Sequence, residues 1–333
     1  MKTITKTLLL ATGLALLIGA IWLVRKQPVA AKSESKGVLI STPSKGDKSQ
    51  NSTPAPSISV NVQSNTMALS SAVRLILDEQ ADYNTRLTAI HEAVTHLSDA
   101  DRQALYTFLL QRSPLDGDQH NHVLKNMLMD GLCALNPPPT GLGDMLAQLY
   151  QDKSQNVVLR DYAVQHMIAF YEQMEKTPDD GKPAKQGELS QVRDVLWEAL
   201  TETDSSIAGS ALLGLEHLSG EQSEFDRNRI AKAALQLAGD NNTGELARIT
   251  AFQVCAQTGL QDAVPLLEQA AQQGQSIPLR ISAIGALGTM GNAQAVPLLN
   301  SLLNGTEERL KLPARQALER IELKQRLACA GNK

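Results

Sequence analysis

Two stretches of the sequence carry the same pattern: ARITAFQVCAQTGLQDAVPLL at residues 247–267 and LRISAIGALGTMGNAQAVPLL at residues 279–299. Each has an Arg, an Ala three residues later, a Gly, and a closing Ala-Val-Pro-Leu-Leu. In the second stretch Ile281, Ile284 and Leu287 recur at the spacing of one helix face. The later Pro suits the first turn of a new helix, where its missing N–H has no partner to lose. Each stretch therefore predicts two antiparallel helices.

Weaker copies of this pattern recur along the chain, and a repeat of this length is typical of stacked helix pairs. We expect an all-α fold, an α-solenoid of about seven antiparallel helix pairs over residues 66–327. Residues 67–81 would form an N-terminal capping helix, and a polar loop is inserted at residues 175–187. The recurring positions, which we assign to packing and to helix breaks, are Arg86, Arg160, Arg248, Arg280, Lys311, Ala89, Ala163, Ala211, Ala251, Ala283, Ala314, Gly259, Gly291, Pro265 and Pro297.

The composition supports a helical protein and argues against binding to nucleic acid. Hydrophobic residues make up 42% of the chain but aromatic residues only 3%, so the core is built mainly from Leu, Ala, Val and Ile. The net charge of −4 gives no basic footprint for phosphates. Cys133, Cys255 and Cys329 are too few for a disulfide scaffold, and whether two of them pair stays open.

The N-terminal segment predicts a membrane anchor. An uncharged stretch from Thr7 to Val24 lies between basic residues. Its length is close to the roughly 20 residues that span a bilayer and exceeds the core of a signal peptide. We expect a cytoplasmic tail at residues 1–6 and a single-pass inner-membrane anchor at 7–24, with the repeats in the periplasm of a bacterium. Signal cleavage near Ala31, giving a secreted or periplasmic protein, is the alternative.

Two further segments lie outside the predicted repeats. Residues 25–65 are rich in Ser, Pro, Lys, Thr and Asn, as in STPSKGDKSQNSTPAPS. Such a segment buries too little apolar surface to offset the entropy of ordering, so we predict a disordered linker. Residues 328–333 are predicted to form a C-terminal tail.

The repeat units resemble HEAT repeats, and the two quoted stretches resemble the short HEAT-like repeats of the phycobilisome-lyase type. The signature of that type is the basic residue, the Ala three residues later, the Gly break and the closing Ala-Val-Pro-Leu-Leu. The resemblance implies an α-solenoid with a concave binding face, and it does not imply lyase activity. By analogy with HEAT proteins, the second helix of each pair lines that face. We therefore expect partner-binding residues at Asn228, Arg229, Lys232, Gln236, Glu268, Gln269, Gln272 and Gln273.

The sequence offers no catalytic constellation, so we expect neither an enzyme nor a cofactor. In HEAVTH, His91 and His96 are five residues apart, about 140° around a helix, whereas the zinc motif HExxH needs four. Deoxyhypusine hydroxylases, another HEAT class, hold iron with repeated His-Glu pairs, and this sequence has one such pair. One loop carries ligand types for a first-row metal, but we interpret it as an ordinary polar loop: Asp116, Asp118, His120 and His122.

The recurring cations of the repeat have two interpretations. Stacked repeats would align them in a ladder that engages acidic groups of a partner. Alternatively, each cation pairs with a Glu or with helix carbonyls of an adjacent repeat, which we favour because stacked repeats share one type of interface.

The sequence as a whole predicts a membrane-anchored scaffold or adaptor. Its concave face would bind a protein or peptide partner of the envelope or membrane, and no nucleic acid. The alternative function is a chromophore lyase or isomerase, by resemblance to the phycobilin lyases.

Overall fold

The computed structural model describes residues 68–112, 119–178, 183–220, 222 and 224–331. Within this part of the chain the regular structure is entirely helical, as the sequence predicts. Fourteen α-helices follow one another in these residues: α1 (Ser71–Leu77), α2 (Tyr83–Thr95), α3 (Asp99–Leu110), α4 (Gln119–Cys133), α5 (Leu142–Gln151), α6 (Val157–Lys176), α7 (Pro183–Ala199), α8 (Ile207–Ser219), α9 (Arg227–Gly239), α10 (Glu245–Gln257), α11 (Val264–Gln273), α12 (Ile277–Met290), α13 (Val296–Leu303) and α14 (Glu308–Gly331).

The helices form two layers of an α-solenoid. The even-numbered layer, α2 to α14, contains the helices that carry the Arg and Ala positions of the repeat, and each of them contacts the next. The odd-numbered helices form the second layer. Every even-numbered helix except α4 packs more on the odd-numbered helix before it than on the one after it, as α12 does on α11. The sequence pattern pairs each Arg helix with the helix after it, as α12 with α13. In the structure the closer partner is the helix before it, as α11 is for α12.

The core lies between the two layers and extends from Ala72 to Ile321. It is dominated by Leu and Ala, as the composition predicts. Small side chains at the repeat positions allow neighbouring helices to approach closely. All six Ala positions of the repeat are buried: Ala89, Ala163, Ala211, Ala251, Ala283 and Ala314.

The breaks between the helices follow from Gly and Pro. Gly259 and Gly291 have φ angles of 68° and 73°, the left-handed conformation in which Gly commonly ends a helix. Pro265 and Pro297 lie in the first turns of α11 and α13. Short 3-10 helices, at 261–263 and 293–295, lead into both.

The helix boundaries differ from the sequence prediction in three places. The N-terminal capping helix is shorter than predicted, Ser71–Leu77. The polar loop assigned to residues 175–187 is also shorter, because α6 continues to Lys176 and α7 begins at Pro183. Proline suits a helix start, and the Ala, Lys, Gln and Glu around it are good helix formers. The helix α14 also continues to Gly331, through most of the predicted C-terminal tail, because the Leu and Ala residues there are good helix formers.

The predicted anchor at 7–24 and the predicted linker at 25–65 lie outside the described residues. Among the helices of the described part of the chain, none is long and apolar enough to cross a membrane.

All three cysteines are free thiols. Cys133 and Cys255 are buried in the core, and burial raises the pKa of their thiols to about 12 and about 11. Cys329 is exposed on α14. A thiol reagent is therefore directed to Cys329 in the folded protein.

Candidate functional site

The recurring arginines bind the ends of neighbouring helices. In three repeats the Arg Nε of an even-numbered helix donates to a carbonyl in the last turn of the odd-numbered helix before it. These carbonyls have no partner within their own helix, and the cation also lies at the negative end of the helix dipole. The pairs are Arg86 to Ile76 O at 3.0 Å, Arg160 to Tyr150 O at 2.7 Å, and Arg280 to Ala271 O at 2.9 Å.

Two other repeat cations behave differently. Arg248 is buried and lies 6.0 Å from the Phe252 ring centre, but within the described residues its Nε forms no hydrogen bond. Lys311 pairs with Glu308 of its own helix at 2.5 Å. The cations are therefore engaged within the repeats and do not form one uniform ladder.

Lys125 performs the capping role in the repeat whose sequence match is weakest. It is buried in α4, and its Nζ donates to Leu109 O at 3.1 Å and to Gln111 O at the end of α3. Burial lowers the pKa of Lys125 to about 8. The sequence pattern missed this residue because it occupies a later position in its helix than the arginines do.

The most concentrated charge cluster connects two loops on one edge of the stack. Glu202, in the loop after α7, accepts from Arg160 Nη2 at 2.5 Å and from Lys153 Nζ. Burial alone would raise the pKa of Glu202, but the hydrogen bonds from Arg160 and Lys153 outweigh it and lower the pKa to about 2. The cluster joins adjacent repeats, and its charges are already satisfied by one another.

We expect the Glu202→Gln substitution to reduce stability by about 1–2 kcal/mol near neutral pH. Because the pKa of Glu202 is lowered on folding, its contribution is present above the ordinary pKa of 4.5 and disappears as the pH falls towards 2. Urea unfolding near neutral pH and near pH ~3 should show a difference from wild type that shrinks on acidification. The exposed Glu92→Gln variant is the control, and a Glu202 effect independent of pH would contradict the prediction.

Glu188 is a buried carboxylate that caps a helix of the neighbouring repeat. From α7 it reaches the N-terminus of α5, where Oε1 accepts from Gly141 N at 3.1 Å and Oε2 from Gly143 N at 3.0 Å. Burial raises the pKa of Glu188 above its ordinary value, against the opposite effect of the two N–H donors. The arrangement is a structural anion site filled by the chain itself.

Glu188→Ala is expected to lower the free energy of unfolding by about 1–3 kcal/mol, because two N–H groups at a helix N-terminus lose their acceptor. Asp194→Ala on the same helix is the matched control, since that side chain is 72% exposed and should change stability by about 0.5 kcal/mol or less. Chemical denaturation of the two variants measures the difference. Equal effects would contradict the assigned role.

The weak metal candidate does not form a ligand cluster in the described residues. Asp116 and Asp118 lie outside them. The His120 ring stacks on Tyr83 with 4.5 Å between ring centres, and His122 is buried in α4. The described part of the chain contains no group of three His, Cys, Asp or Glu side chains placed to hold a metal ion.

The predicted partner-binding residues lie on the odd-numbered helices α9 and α11. Most of them are exposed: Asn228, Arg229, Lys232, Gln236, Gln269, Gln272 and Gln273. Glu268 is partly buried. Arg229 lies over the Trp197 ring of α7 at 3.7 Å from its centre, so it already packs between two repeats. Their role in binding stays a prediction.

Exposed apolar side chains mark the other layer. Of the nine large apolar residues exposed in the described part of the chain, eight lie on even-numbered helices and none on α3 to α13 of the odd-numbered layer. Three of them form what we call the apolar row, one from each of α10, α12 and α14: Leu246, Ile281 and Leu312, exposed by 53%, 36% and 60%.

The apolar row was missed by sequence reasoning, although the repeat itself contains a signal for it. Ile281 and Leu312 each directly follow the repeat cation, Arg280 or Lys311. Ile249 has the same position after Arg248 and is partly buried against the core. Where the same repeat position holds an apolar residue that is exposed, core packing does not explain the residue, and it forms part of an apolar surface.

The family comparison agrees with this architecture. A family model described as HEAT repeats matches residues 231–319, which contain α10 to α13. Among solved structures, human deoxyhypusine hydroxylase in complex with glycerol is 17% identical, with 75% of this chain and 94% of that chain covered and a TM-score of 0.31. YibA from E. coli is 13% identical, with 75% and 91% covered and a TM-score of 0.40. No curated protein matches significantly. Residues 231–319 of this chain are therefore HEAT-like repeats within a longer helical repeat structure.

Proposed function

We propose that this chain is a protein-binding scaffold whose partner lies across the even-numbered layer, over the apolar row. One observation carries the proposal: the exposed large apolar side chains concentrate on that layer. Contiguous apolar exposure on a soluble surface marks interaction sites more often than scattered single residues do. The polar and charged clusters near the repeat ends are, by contrast, occupied by contacts within the chain.

The apolar row has a spacing that suits an extended or helical protein segment. Stacked helices lie about 8–10 Å apart, so Leu246, Ile281 and Leu312 would be touched in turn by a segment that crosses α10, α12 and α14. Complete burial of a Leu or Ile contributes about 1.5–3 kcal/mol relative to exposure. Three such anchors, even partly covered, are enough for a specific complex when polar groups at the rim fix the orientation.

The proposal includes membrane confinement through residues 7–24. A tether confines the scaffold near the membrane, which raises its effective concentration for a membrane-bound partner without any additional contact. Release by cleavage near Ala31 would remove that advantage and leave the binding face unchanged.

The experiment compares two double variants of the full-length chain in affinity capture from envelope extracts. Leu246→Asp/Ile281→Asp places charges in the apolar row, and Gln236→Glu/Gln272→Glu alters the odd-numbered helices. We expect the first variant to lose its specific partner by about tenfold or more and the second to retain it, because a buried charge opposes the apolar contact.

Both variants must keep the thermal unfolding midpoint of the wild type, since all four positions are exposed. Loss of the partner in the Gln236/Gln272 variant alone would move the binding face to the odd-numbered layer. Absence of any specific partner for the wild type would overturn the proposed function.

A further inference from the structure

The C-terminal helix α14 extends beyond the layer on which it packs. Its last buried residue is Ile321, and every residue from Glu322 to Ala330 is exposed. Lys324 still reaches the end of α12, where its Nζ donates to Thr289 O, so the overhang begins at Gln325 and is about 9 Å long at the rise of an α-helix. Isolated helices of this length are only marginally stable in water, so a partner that covers the overhang would also stabilise it.

Three leucines form a stripe along the exposed side of α14, here called the α14 stripe. Leu312, Leu323 and Leu327 are exposed by 60%, 57% and 63%. At about 100° per residue, Leu323 and Leu327 lie within about 60° of Leu312 around the helix. The residues that pack against α12 and α13 occupy the opposite side: Leu310, Ala314, Ala317 and Ile321.

The stripe does not continue the repeat stack. On α12, Ile284 and Gly288 are buried on the side that receives α14. The equivalent positions of α14, 31 residues later, are Arg315 and Glu319, and both are exposed. Charged residues at the stacking positions end the array, as terminal repeats of solenoids commonly do. Another repeat is therefore not the occupant that the stripe fits.

The charge of α14 indicates which kind of partner surface is complementary to the α14 stripe. The helix contains six basic and three acidic residues, a net charge of +3 in a chain of net charge −4. Arg320 lies beside the stripe, and within the described residues neither Arg315 nor Arg320 takes part in an ion pair. An apolar stripe with unpaired cations next to it is complementary to an apolar stripe flanked by carboxylates.

We propose that the exposed side of α14 binds an acidic amphipathic helix of a partner protein. The partner's apolar residues pack on Leu312, Leu323 and Leu327, and its carboxylates pair with Arg315 and Arg320. The stripe spans about 23 Å, the length of about four helical turns, as in other recognition of a helix by an apolar surface. This inference rests on the proposed function and names the kind of partner.

A protein helix fits this surface better than an anionic membrane. Gln316 and Glu319 lie between Leu312 and Leu323 on the same side of α14. A carboxylate and an amide within the stripe would have to enter the lipid interface, which disfavours insertion. A partner helix can instead place polar groups opposite them.

The test uses the full-length chain with an environment-sensitive dye on Cys329, two residues after Leu327. The dye reaches Cys329 selectively because the other two thiols are buried. The probe is a designed three-heptad peptide with Leu at the a and d positions and Glu at the e and g positions. Its counterparts are the same peptide with Lys in place of Glu, and vesicles of phosphatidylcholine with phosphatidylglycerol.

We expect the acidic peptide to bind at micromolar concentration and the basic peptide at least about tenfold more weakly. Leu323→Asp/Leu327→Asp should abolish binding, and Arg315→Glu/Arg320→Glu should reverse the preference to the basic peptide. The control, Arg74→Glu on α1, removes an exposed cation of the other layer and should leave binding unchanged.

Equal binding of both peptides, or a dye response to the anionic vesicles without a response to the acidic peptide, would overturn the inference. So would unchanged binding in the Arg315/Arg320 variant. If the peptide fails while Leu246→Asp/Ile281→Asp still loses its captured partner, this inference fails and the proposed function stands.

Discussion

Gly288→Leu is expected to destabilise the protein by about 3 kcal/mol or more, because a large side chain at this position cannot fit between α12 and α14. A Cβ atom at Gly288 would lie 2.7 Å from Ala317 Cα and 2.8 Å from Ala317 Cβ. The nearer obstacle is backbone, so α14 itself must move away from α12. Even Gly288→Ala should be destabilising, although Ala is favoured over Gly in helices by about 1 kcal/mol.

Gly285 provides the matched control on the same helix. A Cβ atom there meets no atom within 4 Å, so Gly285→Ala should stabilise by about 0.5–1 kcal/mol through helix propensity alone. Urea unfolding followed by circular dichroism measures both changes. Similar effects at Gly285 and Gly288 would contradict the close approach of α12 and α14.

Arg160→Met is expected to cost about 3 kcal/mol, because it removes two contacts of a buried guanidinium at once. In the variant, Tyr150 O loses the hydrogen bond that Arg160 Nε donates, and Glu202 loses its ion pair with Arg160 Nη2. Breaking one side of a buried ion pair typically costs about 3–5 kcal/mol, and the remaining Lys153 contact moderates the loss here.

Arg248→Met is the comparison that separates the two kinds of repeat arginine. Arg248 is equally buried but its Nε has no hydrogen-bond partner within the described residues. Replacing it with an apolar side chain of similar length should change stability by about 1 kcal/mol or less. Chemical denaturation of both variants provides the test, and equal losses would show that Arg248 also carries a structural contact.

The helical repeat could be predicted from the sequence because its determinants are local. Apolar spacing in 279–299 specifies the helices, while Gly291 and Pro297 specify where one ends and the next begins. The irregular repeats were harder. Lys125 takes the role of the repeat Arg but lies at a different position in its helix. The sequence spacing therefore does not reveal this role, which is seen only in the hydrogen bond to Leu109 O.

The helix boundaries and the exposure of the apolar row could not be predicted in the same way. Residues 175–187 are polar and contain Pro and Gly, which indicate a loop, yet α7 begins at Pro183 because Pro suits a first turn and the residues after it are good helix formers. The analogy with HEAT proteins, which predicts a binding face on the second helices, gives no information on which apolar side chains are exposed. That property appears only when burial separates Ile281 and Leu312 from the similar residue Ile249.

The most direct test of the central claim is photo-crosslinking in living cells, with a photoreactive amino acid at Ile281 in one full-length variant and at Gln272 in another. Both positions are exposed, and they lie on opposite layers of the same part of the stack. We predict a discrete crosslinked product with a partner protein from position 281 and none from position 272. A product from position 272 alone, or from neither position, would contradict the account.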